Sequence, residues 1–192
     1  MLIAFFASCA SLCAQAQKPA PPAPAAPERV AACAGCHGAD GNSLTPGIPS
    51  LAGQPKVFIE NVLVLTREGM RSNAVMQGLM KGVSDREIVE IAKYYSALPT
   101  HFTAPSPLDK AMSDKGRVLA GKLRCGSCHE AKFRGKEQMP RLAGQREEVL
   151  NAKMIAFRDN PPPGTDTIMN ATLRGVSDDD IKAMAHFLAH AR

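Results

Sequence analysis

Apolar residues recur at helical spacing in two corresponding stretches of the chain. Ile88, Ile91, Ala92 and Tyr95 share one face of a helix expected over Ser84–Ala97. Ile181, Met184, Ala185 and Leu188 repeat that face near the C-terminus. Each stretch opens on a capping signal. Ser84 is followed three residues later by Glu87, and Ser177 by Asp180, a weaker version of the same box. A further helix is expected from about Pro55 to Glu68, and Gln145 to Arg158 matches it. Only a short segment precedes Cys33 within its lobe. No convincing alternating strand pattern appears, so the expected fold class is all-α.

The repetition extends beyond the helices. Cys33-Ala34-Gly35-Cys36-His37 returns as Cys125-Gly126-Ser127-Cys128-His129, 92 positions on. Pro49-Ser50-Leu51-Ala52-Gly53-Gln54 returns as Pro140-Arg141-Leu142-Ala143-Gly144-Gln145, 91 positions on. Gly82-Val83-Ser84-Asp85 returns as Gly175-Val176-Ser177-Asp178, 93 positions on. Three blocks in one order at nearly one offset indicate an internal duplication. Two tandem lobes are therefore expected, over residues 29–100 and 109–192. Residues 101–108 form the linker, with Pro99, Pro105 and Pro107 punctuating it.

The N-terminal region reads differently. Met1 to Ala16 carries no charged side chain, and Leu2 to Leu12 is a short apolar stretch. Ala14-Gln15-Ala16 is a small-x-small cleavage pattern, so residues 1–16 are expected to be a signal peptide for export to the periplasm. Phe6-Ala7-Ser8-Cys9 is loosely like a lipobox, which leaves a lipid-anchored form with membrane-surface association open. Residues 17–28 form an Ala/Pro-rich spacer. No run of about 18 apolar residues exists to span a membrane. A composition of 45% hydrophobic and 21% charged residues excludes a disordered chain. The net charge of +5, at +1 for the first lobe and +4 for the second, is too weak to argue for nucleic acid.

The chemistry lies in the two C-x-x-C-H motifs, which use every Cys beyond Cys9 and Cys13. This pentapeptide signals covalent attachment of c-type haem. Two thiols one helical turn apart add to the two vinyl groups of one haem, and the adjacent His faces the iron. A structural zinc site needs two further Cys or His ligands per lobe, and the first lobe offers only His101, at its edge, beyond His37. A redox dithiol needs an α/β setting. Met is the usual sixth ligand opposite His. Met76 and Met169 each lie eight residues before a capping Ser, at 39 and 40 residues from His37 and His129. They are the expected ligands, with Met80 as the rival to Met76. Met154 and Met184 read as core filler, and Met139 is unassigned. Pro49 and Pro140 offer carbonyls to the Nδ1–H of His37 and His129, an orienting role. Gly38 and Gly41 serve the turn leaving the first motif. Lys132, Arg134 and Lys136 mark a solvated loop in the second lobe.

Together these motifs resemble the cytochrome c4 family of dihaem c-type cytochromes. The resemblance covers Arg29 to Arg192. It rests on Cys33 to Ser43, both Leu-Ala-Gly-Gln blocks, Arg71-Ser72-Asn73-Ala74-Val75-Met76-Gln77-Gly78 and the Ser-Asp-x-x-Ile helix starts. It implies two class I cytochrome c lobes. It also implies iron ligands His37, Met76, His129 and Met169, and thioether bonds from Cys33, Cys36, Cys125 and Cys128. The implied role is one-electron transfer from a quinol-oxidising complex to a terminal oxidase in the periplasm, by a monomer or weak dimer rather than an enzyme. Two alternatives stand beside it. One is the electron-transfer subunit of a periplasmic dehydrogenase, such as a flavoprotein sulfide dehydrogenase. The other is a dihaem enzyme with one open iron. Against the family pattern, the segment before Cys33 is short, and Pro161-Pro162-Pro163-Gly164 is an insertion ahead of Met169.

Overall fold

The computed structural model describes residues 25–102, 106–161, 163 and 167–192. The expected signal peptide and most of the spacer lie outside these residues, as do Pro162 and Gly164 of the insertion. The described residues form helices joined by turns, with one isolated bridge between Lys136 and Met139.

The first half holds α1 (Val30–His37), α2 (Lys56–Arg67), α3 (Ala74–Met80) and α4 (Asp85–Ala97). The second holds α5 (Lys110–Lys122), α6 (Gly126–His129), α7 (Glu147–Asp159), α8 (Thr167–Leu173) and α9 (Asp178–His190). Each half has its own apolar core. One gathers Val30, Ile59, Leu63, Met80, Ile88, Ile91 and Tyr95. The other gathers Leu150, Met154, Leu173, Ile181, Met184 and Leu188. The faces expected from the 3.6-residue period are thus the faces that are buried.

The same devices assemble both halves. Ser84 and Ser177 cap α4 and α9, and the full capping box closes at Ser84 with Glu87. Arg67 at the end of α2 donates to Val83 O at 2.9 Å and pairs with Asp85 at 2.8 Å. Arg158 at the end of α7 donates to Val176 O at 2.7 Å and pairs with Asp178 at 2.7 Å. One arginine ties the end of α2 to the start of α4, and the other ties the end of α7 to the start of α9.

The halves differ at their first helix. In the second, α5 lies against α9, and Gly116 faces the Ala183 backbone directly. Among the described residues the first half has no counterpart of α5. There α1 is short, and Arg29 just ahead of it pairs with Glu87 of α4 at 2.7 Å. That arginine, with the Ser84 backbone and hydroxyl, holds the Glu87 carboxyl down at about 2, from an ordinary 4.5. A carboxyl held low contributes stability that is present above its unfolded value and is lost as pH falls through its folded value. Thermal melts should therefore show the first half weakening as pH drops from about 4.5 toward about 2. Glu87→Gln should shallow that slope; equal slopes in the two proteins would refute the role.

One anchoring group has no sequence signal. Ser106 Oγ donates to Glu147 at 2.8 Å, and His186 Nδ1 lies 3.1 Å from the same carboxylate oxygen. The Asp109 amide donates to His186 Nε2 at 3.0 Å. These bonds fasten the chain entering the second half onto α7 and α9.

Candidate functional site

Each C-x-x-C-H motif ends on a buried histidine. His37 closes α1 and His129 closes α6, at 7% and 5% exposure. The chain then turns sharply. Gly38 and Gly41 take positive φ in the first half, at 85° and 72°. A side chain at Gly41 would run into the Tyr95 ring, which stands 2.8 Å from where its Cβ would lie. Glu130 and Phe133 hold the equivalent left-handed positions in the second half, at φ 69° and 54°. Gly41 and Phe133 then play one role. Gly41 O accepts from the amides of Leu51 and Ala52, and Phe133 O from those of Leu142 and Ala143. That bond pair brings each Pro-x-Leu-Ala-Gly-Gln block back beside its histidine.

As a result Pro49 O lies 2.8 Å from His37 Nδ1, and Pro140 O lies 2.9 Å from His129 Nδ1. The carbonyl fixes each ring with Nδ1–H as donor, leaving Nε2 as the lone-pair nitrogen. His129 Nε2 is buried without a hydrogen-bond partner among the described residues. Burial lowers the affinity of both rings for a second proton, with the proline carbonyls partly opposing it. A neutral imidazole with a free Nε2 is the form that binds a metal.

The four motif cysteines form no disulfide. Cys33 and Cys125 are half-buried, and desolvation raises their thiols. Cys36 and Cys128 are exposed. Among the described residues, the one cluster of three or more His, Cys, Asp and Glu with metal-ligand spacing is Glu147, His186 and His190. Neither motif gathers the ligand set that a zinc site requires.

The methionines separate by burial. Met76 and Met169 are the third residues of α3 and α8, both partly buried against the cores. Met80 is 4% exposed inside the first core, where the second half places Leu173. Met154 and Met184 are buried in the second core. Met139 is half-exposed in the loop that carries Lys132, Arg134 and Lys136, all three exposed.

The two Leu-Ala-Gly-Gln blocks meet where the halves touch. Gln145 accepts from the Ser50 amide at 2.8 Å and donates to Ser50 O at 2.9 Å. Gln54 accepts from the Arg141 amide at 2.9 Å and donates to Arg141 O at 3.0 Å. Arg141 is itself 4% exposed. Its guanidinium donates to Ala143 O within its own half and to Ala52 O of the other half, the latter at 3.0 Å. Desolvation pushes it down to about 10.

The cytochrome c family model matches residues 113–192, and the model for cytochrome C oxidase, cbb3-type, subunit III matches residues 24–94. A thiosulfate dehydrogenase electron acceptor of Thiomonas intermedia (strain K12) is 33% identical over 152 residues, covering 74% of this chain and 70% of the relative. Cytochrome c4 of Thiocapsa roseopersicina is 30% identical over 162 residues, covering 77% and 81%. Reduced recombinant cytochrome c4 from Pseudomonas stutzeri superposes with a TM-score of 0.78 at 28% identity, over 85% of this chain and 95% of that one. The chain belongs to the cytochrome c4 family. It has two cytochrome c domains, carries two covalently attached haem c groups and transfers electrons.

The residues of this chain fit those groups. The buried His129 Nε2 is an acceptor with no hydrogen-bond partner among the described residues, and the paired thiols lie on the same short helical stretch. Arg71 and Arg141 are cations desolvated by the fold, with no carboxylate partner among the described residues. They suit the two carboxylates that haem brings. The cross-lobe clasps of Gln54 and Gln145 are a finding of the structure. Their one signal in the sequence is the return of Gln at the end of both repeated blocks.

Proposed function

We propose that His37 and Met76 hold one haem iron, and that His129 and Met169 hold the other. Cys33 with Cys36, and Cys125 with Cys128, make the thioether bonds, and Pro49 and Pro140 orient the histidines. The observation that carries this reading is the duplicated geometry. Two buried histidines sit on equivalent proline carbonyls, and two partly buried methionines open equivalent short helices. The domains follow the duplication, over residues 29–100 and 109–192. When bound, haem c supplies reversible one-electron cycling of its iron. With a His and a Met committed to each iron, no coordination position would remain for a substrate, which suits a carrier and not an enzyme.

Met80 tests the choice of ligand. Met80→Leu should leave both haem spectra unchanged and cost under about 1.5 kcal/mol, because Leu occupies the equivalent core position in the second half. Loss of the sulfur-to-iron charge-transfer band in one haem would transfer the assignment from Met76 to Met80.

The site of action proposed is the periplasm, reached through residues 1–16, with a terminal oxidase as acceptor. No helix among the described residues is long and apolar enough to cross a membrane. The donor is a quinol-oxidising complex or a dehydrogenase. The dehydrogenase reading draws on the relative named as a thiosulfate dehydrogenase electron acceptor. Purification from native cells as a single chain would support the mobile shuttle. A second chain held in constant ratio would support the subunit reading.

A further inference from the structure

The cross-lobe glutamines touch the same peptide groups that orient the histidines. Pro49 C=O and Ser50 N–H belong to one peptide unit. Its oxygen accepts from His37 Nδ1–H at 2.8 Å, and its N–H donates to Gln145 of the other lobe at 2.8 Å. Pro140 C=O and Arg141 N–H form the equivalent unit. Its oxygen accepts from His129 Nδ1–H at 2.9 Å, and its N–H donates to Gln54 at 2.9 Å. Ser50, Arg141, Gln54 and Gln145 are all buried, at 7%, 4%, 3% and 6% exposure. Water does not substitute freely for either clasp.

We infer that Gln145 and Gln54 are positioning residues that tune the haem of the opposite lobe through the peptide group behind its histidine. The inference rests on the histidine ligation proposed above.

The direction follows from peptide electronics. An N–H that donates to Gln Oε1 shifts density along the amide onto the carbonyl oxygen, and hydrogen bonds in such a chain strengthen one another. The proline carbonyl then accepts more strongly from Nδ1–H, and the imidazole becomes a more basic donor at Nε2. A more basic axial ligand favours the oxidised metal. Gln145 therefore lowers the potential of the first lobe's haem, and Gln54 lowers that of the second. By linkage, oxidising one haem tightens the glutamine clasp reaching in from the other lobe. The carboxamide's second bond, from Nε2 to the Ser50 or Arg141 carbonyl, holds Oε1 in register.

The test is redox titration of the holoprotein, following each haem by its own spectrum. Gln145→Leu should raise the first lobe's haem and leave the second in place. Gln54→Leu should raise the second lobe's haem and leave the first. Cooperative strengthening of about 10–30% per bond predicts a roughly twofold rise in the reduced-to-oxidised ratio at fixed potential. That ratio corresponds to about 18 mV at ~59 mV per tenfold change for one electron. Gln145→Asn, one methylene shorter and still polar, should give the same crossed pattern if the leucine variant does not fold. A shift confined to the mutated lobe's own haem would overturn the inference. So would equal shifts of both haems, or a downward shift of the kind that water entering a loosened interface produces. Failure of the ligation itself would show earlier, as missing His/Met spectra in the wild-type protein, and would overturn the relay with it.

Discussion

Met76→Ala lowers the midpoint potential of one haem by on the order of 0.2 V, a fraction of the ~0.8 V range that axial ligands span, and leaves the other haem in place. Thioether sulfur is a soft donor that favours the reduced iron. Its loss leaves water or a harder group opposite His37. Met169→Ala should do the same to the other haem, because α3 and α8 present these two residues at the same position from the same buried side. Redox titration with optical spectra reads both the potential and the disappearance of the sulfur-to-iron band. A change in both haems from either single variant would mean that these methionines act on packing rather than on iron.

The second large effect is on stability and is confined to one lobe. A Cβ on Gly116 would lie 2.1 Å from Ala183 O and 2.7 Å from the Phe187 Cβ. Gly116→Val must drive α5 away from α9, at a cost of about 3 kcal/mol, the upper part of the overpacking range. For a lobe of this size that is roughly 12–24 °C in melting temperature. The first lobe, which lacks this contact among its described residues, should melt unchanged. Gly121 in the same helix meets nothing within 4 Å, so Gly121→Ala should be neutral or stabilise by up to about 1 kcal/mol. Denaturation followed at each haem separates the two lobes. A Gly116→Val protein as stable as the parent would mean that the α5–α9 crossing does not require glycine there, since Val and Ala both exceed Gly in helix propensity.

How legible each element is in the sequence follows from how it is held. Helices α4 and α9 declare themselves, since a capping serine starts each and a full apolar face runs along each. Helices α2 and α7 fall within a residue or two of their expected ends. Helix α5 gives no comparable signal. The side it buries offers Gly116 and Ala120, too small to register as an apolar stripe. Two glycines also lower its helix propensity. Helices α3 and α8 run for seven residues each, too few to show a period. The insertion before α8 does not disturb that helix, because α8 keeps the length of α3 and the place of its methionine.

The site divides in a similar way. Cys, His and Pro stand at fixed offsets, and backbone geometry turns those offsets into contacts within one lobe. Repeat register already favours Met76 over Met80, and burial adds a second, independent difference between them, with Met80 inside the first core and Met76 only partly buried against it. The glutamine clasps join residues 87 and 95 positions apart across the lobe boundary. Sequence spacing within a repeat carries no information about which surfaces of its two copies meet.

Closure of both irons by His and Met, with one electron exchanged at each, is what makes the protein a carrier. Redox titration of the intact holoprotein with simultaneous optical spectra tests it most directly. The expected result is two one-electron steps, with two low-spin haems that both show the sulfur-to-iron charge-transfer band when oxidised. A haem without that band that binds cyanide rapidly in the oxidised protein would contradict it.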